Sequence, residues 1–516
     1  MALVFPNLYH VGMSNLGFRL LYHFLNSYEE IVCERFFLTE GPLRSVESNR
    51  PLMDFDFILF SISFESDFIN VIKILNQGGL EPYRKERTNA PLVLAGGIAT
   101  WLNPDPLTPF VDGFLLGEIE ALGEPLLEAL KGEKAWEEVP GYLASDYELT
   151  FDKDGLLREI KTPPVKRVIA RTLKTPPFSN LLTPDTEFSE TYLLEVGRGC
   201  GRGCRFCAAG ILYRPPRPWP KEILLEALED IPPQSKVGLI GLEFIDQETI
   251  EHLAQELLRK GCSLTFSSLR ADYLTPSFAK LLSRQRTATI APEAGTERLR
   301  RVINKKLSED AILEASRLLA LAGVRSLKLY FMLGLPSETP EDLEGIVKLV
   351  KKIKHNVDQI TKPQGRLVEL RLSVSSFVPK PHTPFQWAPF AGVKELKKRL
   401  NWLKKKTGRI PNVKITSDLP KWAYLQALIA RGDRRLAPLL LGLAQGRGLR
   451  QTLVHLPLNP DFLVRRERGP EEIFPWEVVD LGIKKSFLWQ EWQASRESKE
   501  TLGCYLGKCR RCGVCP

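Results

Sequence analysis

No stretch of this chain is apolar for long enough to cross a bilayer. The longest candidate, "LAPLLLGLA" at 436–444, is about half of the roughly 20 residues that a spanning helix requires. The opening Met1-Ala-Leu-Val-Phe-Pro lacks the basic start and apolar run of a secretory leader. Both absences predict a cytoplasmic protein with no membrane insertion. Short internal repeats and low-complexity tracts are also missing. Charge of one sign is in no large excess: 71 Lys and Arg stand against 62 Asp and Glu, a net charge of +9 over 516 residues. That balance permits contact with nucleic acid or an acidic protein without requiring it. Cysteine is scarce, nine in all, and a large cytosolic chain is not expected to hold disulfides.

The few cysteines are unevenly placed, and that is the sharpest signal in the composition. Seven fall in two clusters: Cys200, Cys204 and Cys207, and then Cys504, Cys509, Cys512 and Cys515. Clustered thiols in a reducing compartment point to metal. Cys33 and Cys262 stand alone in apolar surroundings and read as small buried hydrophobes.

Length alone predicts roughly two to four domains. Strand-like and helix-like runs alternate over the first 134 residues: "ALVF", "IVCERFFL", "FDFILFSISF", "PLVLAGG" and "VDGFLLGE", with helical segments between them. Such alternation predicts a parallel sheet with helices on both faces. Residues 135–190 are rich in Pro, Thr and Asp and read as a linker with a small extended excursion. The alternation resumes at 191–390, with six strand candidates: "TYLLEV", "KVGLIGL", "SLTFSSL", "TATIAP", "SLKLYFMLG" and "ELRLSVSSF". Two of the helices between them carry clear signals. "LSEDAILEASRLLALAG" offers Ser308 as a cap and Gly323 as a stop, and Thr339-Pro340-Glu341-Asp342 opens another. Six βα units predict a partial TIM-like barrel, with ligands at the C-terminal ends of its strands. Residues 391–516 read as a mainly helical extension ending in the cysteine-rich tail. The fold class is therefore α/β, a doubly wound Rossmann-like domain followed by a partial (βα)6 barrel.

The first cysteine cluster, "CGRGCRFC", has the spacing Cys-x3-Cys-x2-Cys directly after the first barrel strand. Thiolates hold iron–sulfur clusters, and three of them on a four-iron cubane leave one iron open. A structural zinc normally takes a closed set of four ligands, so three is a mark against it. Gly197, Gly199, Gly201 and Gly203 let the loop wrap tightly and aim N–H groups at sulfur. Phe206 is placed to shield a cluster or touch a bound ligand.

Spacing, aromatic position and barrel placement together resemble the radical S-adenosylmethionine superfamily, over about residues 190–390. The resemblance implies a [4Fe-4S] cluster on Cys200, Cys204 and Cys207. Its open iron chelates S-adenosylmethionine, and a reducing donor of the flavodoxin or ferredoxin type supplies the electron that releases a 5′-deoxyadenosyl radical. It further implies cofactor-binding positions at later strand ends. Glu243 in "GLEF" lies where the family often has Gly-Gly-Glu, with Leu242 in place of the second glycine. Ser268 and Arg270 close the third strand. Glu293 would meet ribose hydroxyls and Arg298 the carboxylate, with Ala294 where a serine is usual. For each lone charged residue an ordinary barrel-rim ion pair is the competing account.

The first domain resembles the cobalamin-binding domain that precedes many such barrels. Ser61, Ser63, Gly96, Gly97, Gly117 and Glu118 match the positions that accommodate the nucleotide tail. The Asp-x-His-x-x-Gly signature that supplies a cobalt ligand is absent; His10 lacks the Asp two positions before it. A domain that keeps the fold without the corrinoid is the alternative. The tail "CYLGKCRRCGVCP" resembles neither pure pattern: its compact spacing leans to ferredoxin-like ligation, with zinc or a single iron close behind.

The function these readings favour is cobalamin-dependent radical methylation of an unactivated carbon. The alternatives are cobalamin-independent modification of RNA or protein, such as methylthiolation with a second iron–sulfur cluster, and a non-catalytic iron–sulfur or nucleic-acid-binding protein. The basic stretch "KELKKRLNWLKKKTGR" (394–409) and "ARGDRR" (430–435) read either as solvated surface or as contacts to RNA.

Overall fold

The apolar runs near the start of the chain become strands because they are buried on both faces, which continuous Val, Leu and Phe sequences favour. The computed structural model describes residues 1–516 apart from 89–90, 180, 244–245, 267–269, 283–284, 505–508 and 516. The chain divides into two compact units. Unit 1 comprises Met1–Thr191, Lys380–His382 and Gln426–Lys484; unit 2 comprises Tyr192–Pro379, Thr383–Leu425 and Lys485–Pro516.

In unit 1, strands β1 (Ala2–Phe5), β2 (Glu34–Phe37), β3 (Phe57–Ser61), β4 (Leu92–Gly96), β5 (Gly113–Leu115) and β6 (Tyr142–Ala144) form one sheet in the order 2-1-3-4-5-6. The first five run parallel and β6 runs antiparallel to β5. This is a doubly wound order with its switch point between β1 and β3. Helices α1 (Leu16–Leu25), α2 (Phe68–Gln77) and α3 (Ile119–Leu130) connect its strands. Phe18, Leu122 and Leu126 pack with Leu3, Leu59 and Leu94 of the sheet in one apolar cluster.

The segment 135–190, expected as a linker, is folded into unit 1. It supplies β6, an antiparallel pairing of Leu149–Phe151 with Leu157–Ile160, and a parallel pairing of Val165–Lys166 with Val479–Asp480. Its polar composition reflects a tight turn: Asp152 Oδ1 accepts from the N–H groups of Asp154 and Leu156, both at 2.9 Å, while Gly155 takes φ +81°. "ARGDRR" is also structural. Arg431 and Asp433 are buried, and Arg434 pairs with buried Asp105 at 2.7 Å.

Unit 2 holds all six expected barrel strands: β7 (Thr191–Arg198), β8 (Lys236–Gly241), β9 (Ser263–Phe266), β10 (Thr287–Glu293), β11 (Ser326–Leu333) and β12 (Glu369–Ser376). A seventh, β13 (Val413–Ser417), continues the series parallel to β12. Its short, half-exposed "VKITS" gives little apolar signal, so the sequence read it as helical extension. The strands form two sheets among the described residues, one containing β7, β8 and β9 and the other β10 to β13. Intervening helices include α4 (Gln247–Arg259), α5 (Glu297–Val302), α6 (Glu309–Leu321), α7 (Pro340–Thr361) and α8 (Val393–Thr407), and α9 (Lys485–Arg496) follows later in the chain. The start signals act as expected: Ser308 Oγ accepts from Ala311 N at 3.1 Å, and Thr339 forms a capping box with Asp342. In the "FVPKPHTPFQW" loop, Phe385 meets Trp492 and Trp387 meets Trp489, edge to face, seating α9. Among the described residues, no helix is long and apolar enough to cross a membrane.

Candidate functional site

The cysteine loop leaves β7 through two glycines that no other residue could replace without strain. Gly199 takes φ +88° and Gly203 φ +77°, conformations that side chains disfavour. A Cβ at Gly199 would collide with the Tyr213 carbonyl. Cys200, Cys204 and Cys207 are all half-buried, and none of them is in a disulfide. The N–H of Gly210 points at Cys207 Sγ from 3.4 Å. Burial, with Cys204 beside it, pushes the Cys207 thiol up to about 11. A thiolate there therefore calls for a cation to balance it, as cluster iron would.

Glu243, at the end of β8, is tied to this loop. Its Oε2 accepts from Gly201 N at 2.8 Å, its Oε1 accepts from the Tyr273 hydroxyl at 2.7 Å, and Arg202 pairs with it. The Arg202 guanidinium also lies 4.3 Å from the centre of the Tyr273 ring. Arg270 makes a two-pronged pair with Asp272 at 2.9 and 3.1 Å and donates to Lys305 O at 3.1 Å. Lys305 Nζ in turn donates to Glu293 Oε1 at 3.0 Å. Glu293 sits at φ +67° where the β10–β11 register shifts. Burial works against the Lys305 ammonium, but Glu293 and Cys204 outweigh it and hold its pKa above the ordinary lysine value.

The site residues expected from the sequence thus separate into groups. Glu243, Arg270 and Glu293 belong to networks that reach the cysteine loop or its electrostatic neighbours. Arg298 is engaged otherwise: it pairs with Asp342 and donates to Ser337 O at 2.8 Å, fastening α5 to the start of α7. Phe206 is half-buried in the loop. Ser268 lies outside the described residues. Sequence reasoning missed Arg202, Arg205, Tyr273 and Lys305. The two arginines stand inside the cysteine motif itself, which was the available signal.

The cysteine tail meets the same loop. Cys504 N donates to Gly201 O at 2.6 Å, and Gly503 approaches that carbonyl closely enough that a Cβ would stand 2.7 Å from it. Asn304 bridges the two, donating to Gly203 O and Thr501 Oγ1, each at 3.0 Å, and accepting from Thr501 N at 3.0 Å. A cleft of about 770 Å³ lies between loop and tail, lined by Arg202, Glu243, Tyr273, Lys306 and Leu502. Cys509, Cys512 and Cys515 act electrostatically on Cys504. Among the described residues, no three His, Cys, Asp or Glu side chains converge tightly enough for one metal ion. A cubane asks for less convergence, since each thiolate binds a different iron. The donor set of the first loop, three thiols with an N–H on sulfur and cations beside them, fits such a cluster.

In unit 1 the strand ends are occupied differently. Ser61, Gly96, Gly97 and Gly117 line a cavity of only about 60 Å³, against roughly 300–1,000 Å³ for sites that take small molecules. A Cβ at Gly97, where φ is +99°, would stand 2.5 Å from Ile62 O, and one at Gly117 2.9 Å from Val168 O. Glu118 donates through its N–H to Val168 O at 2.9 Å and accepts from Ala170 N at 3.0 Å. Ser63 accepts from Asn15 at 3.0 Å. The glycines therefore make room for the chain's own backbone, and as folded these residues do not fit a corrin.

Residues 17–141 match the family of radical SAM proteins, N-terminal, and residues 194–350 match the radical SAM superfamily. Uncharacterized protein MJ0966 of Methanocaldococcus jannaschii is 32% identical over 447 residues, covering 85% of this chain and 90% of that protein. Uncharacterized methyltransferase PH0819 of Pyrococcus horikoshii is 21% identical over 267 residues, 49% of this chain and 55% of that protein. Among solved structures, the cobalamin-dependent S-adenosylmethionine radical enzyme OxsB superposes with a TM-score of 0.45 at 18% identity, covering 70% of this chain. The chain spans 55% of the length of that enzyme. A three-cysteine loop on the first strand of a βα series and a near full-length relative agree with the matched regions: the chain belongs to the radical S-adenosylmethionine superfamily.

Proposed function

We propose that this enzyme cleaves S-adenosylmethionine reductively at a cluster held by Cys200, Cys204 and Cys207, and that the resulting radical takes a hydrogen atom from an unactivated carbon. Methylation of that carbon then draws on a second S-adenosylmethionine, which leaves as S-adenosylhomocysteine, and on one further electron from the same donor. The observation that carries the first part is the cysteine loop at the C-terminal end of β7, braced by the Gly201–Glu243 hydrogen bond of 2.8 Å. A [4Fe-4S] cluster bound there supplies one electron, drawn from a flavodoxin- or ferredoxin-type donor, to break a sulfonium carbon–sulfur bond. The three thiolates fix the cluster. Glu243 orients the Gly201 N–H and holds Arg202 and Tyr273 at the wall of the cleft. Lys305 and Arg270 add positive charge near Cys204, which offsets an anionic cluster. Glu293, paired with Lys305, is placed to accept hydrogen bonds from a nucleoside, and Phe206 to cover the loop. The methyl-transfer part rests on the methyltransferase designation of the Pyrococcus relative.

The test is anaerobic reconstitution followed by incubation with S-adenosylmethionine and reductant. Wild type should form 5′-deoxyadenosine and Cys204→Ala should not; equal formation in both would end the cluster assignment. Methyl transfer also predicts S-adenosylhomocysteine among the products, and its absence would remove that part.

A second reading is that unit 1 holds cobalamin as methyl carrier; its strand order 2-1-3-4-5 favours it, while its filled strand ends do not. Binding there would have to displace residues 168–170. Titration of the full chain with hydroxocobalamin tests this, and an unchanged corrin spectrum and unfolding midpoint would rule against it. The four tail cysteines are assigned to a second metal, iron–sulfur in preference to zinc or iron alone, and metal analysis distinguishes these by about eight irons per chain against about four plus one other ion.

A further inference from the structure

The enzymatic reading leaves unused the strongest charge concentration in the chain. Between Lys394 and Lys421 there are ten Lys and Arg against two acids, Glu395 and Asp418. Helix α8 turns Leu396, Leu400, Leu403 and Thr407 inward and exposes Lys394, Lys397, Lys398, Lys404, Lys405 and Lys406. Arg399 is held by Glu395 and Glu338, and Lys414 by Glu369 at 2.5 Å. Among the described residues, Lys394, Lys397, Lys398, Lys404 and Lys405 make no ion-pair contact with a carboxylate, and Lys398 acts on Glu395 only from a distance.

A solvated helix face needs nothing more than charge. This surface has more. Strand β13 follows α8 and is the outer strand of its sheet, parallel to β12. At its C-terminal end, the end where a βα barrel gathers its substrate, the chain exposes Leu419 at 55% and Trp422 at 50%. The Lys421 ammonium lies 4.7 Å from the centre of the Trp422 ring. An exposed indole with a lysine beside it offers an unpaired base a face to stack on and its phosphate a counter-charge.

We infer that the face formed by α8 and the segment after β13 binds single-stranded nucleic acid, with the lysines along the phosphates and Trp422 against a base. This deepens the enzymatic reading by naming a polynucleotide as the substrate class, and it rests on that reading only for the word substrate. A polynucleotide is favoured over an acidic protein because the segment pairs an exposed aromatic ring with a helix face rich in exposed lysines, and over a bilayer because the exposed apolar part is limited to Leu419 and Trp422.

The test is fluorescence anisotropy of the full reconstituted chain with a fluorescein-labelled single-stranded RNA of about 20 nucleotides, and separately with the matching DNA. Binding at 50 mM salt should weaken steeply as salt rises. Replacing Lys394, Lys397 and Lys398 together by Gln should weaken it about tenfold and flatten the log–log salt slope by about 2, the loss expected for three single-strand phosphate contacts. Trp422→Ala should weaken it about tenfold at an unchanged slope. Tighter binding of RNA than DNA would assign RNA, and equal binding would assign single strands of either kind. No binding at 50 mM salt, wild-type affinity in both variants, or displacement by polyglutamate as effective as by unlabelled RNA would each overturn the proposal. Formation of 5′-deoxyadenosine is measured in the same preparations. Its absence from wild type would sink the enzymatic reading while leaving strand binding intact, and the two failures are thus separable.

Discussion

The guanidinium of Arg205, wholly buried between Cys204 and Cys207, donates through Nε to Glu491 Oε2 on α9 at 3.1 Å. Its other nitrogens donate to the carbonyls of Arg301 at 3.0 Å, Val302 at 2.9 Å and Lys499 at 2.8 Å. One side chain of the cysteine loop therefore gathers α5, α9 and the approach to the tail. Taking a charge out of water is tolerable only with such complete pairing.

Removing one partner should then be costly. Glu491→Gln leaves the Arg205 charge buried with neutral acceptors alone, and about 3 kcal/mol should be lost. Urea unfolding of the apoprotein measures this, and iron per chain after reconstitution should fall with it. An unchanged midpoint would mean that the three carbonyls suffice.

The two left-handed glycines of the loop should respond unequally to alanine. At Gly203 a Cβ would stand 3.4 Å from Asn304 Nδ2, so Gly203→Ala should cost only the backbone strain, about 1 kcal/mol. At Gly199 the new atom also meets backbone at Tyr213 and, at 3.0 Å, Pro216. Gly199→Ala should cost about 3 kcal/mol or more. Equal unfolding midpoints for the two variants would contradict this geometry.

Acid sensitivity should reside partly in unit 1. Burial, with Arg167 nearby, pushes the His382 imidazole down to about 3, whereas the unfolded chain titrates it near about 6.5. Since the folded value is the lower, the neutral ring contributes fully above about pH 6.5 and its contribution falls away as pH drops towards 3. At about pH 4.5 the loss is about 2–3 kcal/mol. Residue 382 sits at φ +55°, which Asn tolerates. His382→Asn should therefore lose less stability than wild type between pH 7.5 and 4.5 in urea unfolding, and parallel losses would refute the assignment.

What could be read from the sequence was local. The cysteine spacing, its glycines, the Ser308 cap and the six barrel strands are written in short contiguous patterns, and all are found in the fold. Glu243 was reachable from its place at a strand end, although its bonds to Gly201, Arg202 and Tyr273 were not. Partners far apart in sequence leave no such trace: nothing near Arg205 announces Glu491, and nothing in "ARGDRR" announces Asp105. Composition misled in two places. Polar residues 135–190 hide a sixth strand and a hairpin, and the half-exposed "VKITS" hides the seventh barrel strand. Gly97 and Gly117 suggested a bulky ligand because close approach requires glycine whichever group approaches; here the group is the chain's own backbone.

The bond from Arg205 to the Lys499 carbonyl joins residues 294 positions apart, and that separation imposes an order on biosynthesis. While the barrel emerges from the ribosome, the cysteine loop still lacks α9, Thr501 and Cys504. Iron delivered at that stage would meet an unfinished receptacle. Maturation of the proposed cluster is accordingly expected only once residues 485–504 have been made, and a protease that cuts ahead of them would return the loop to its nascent condition.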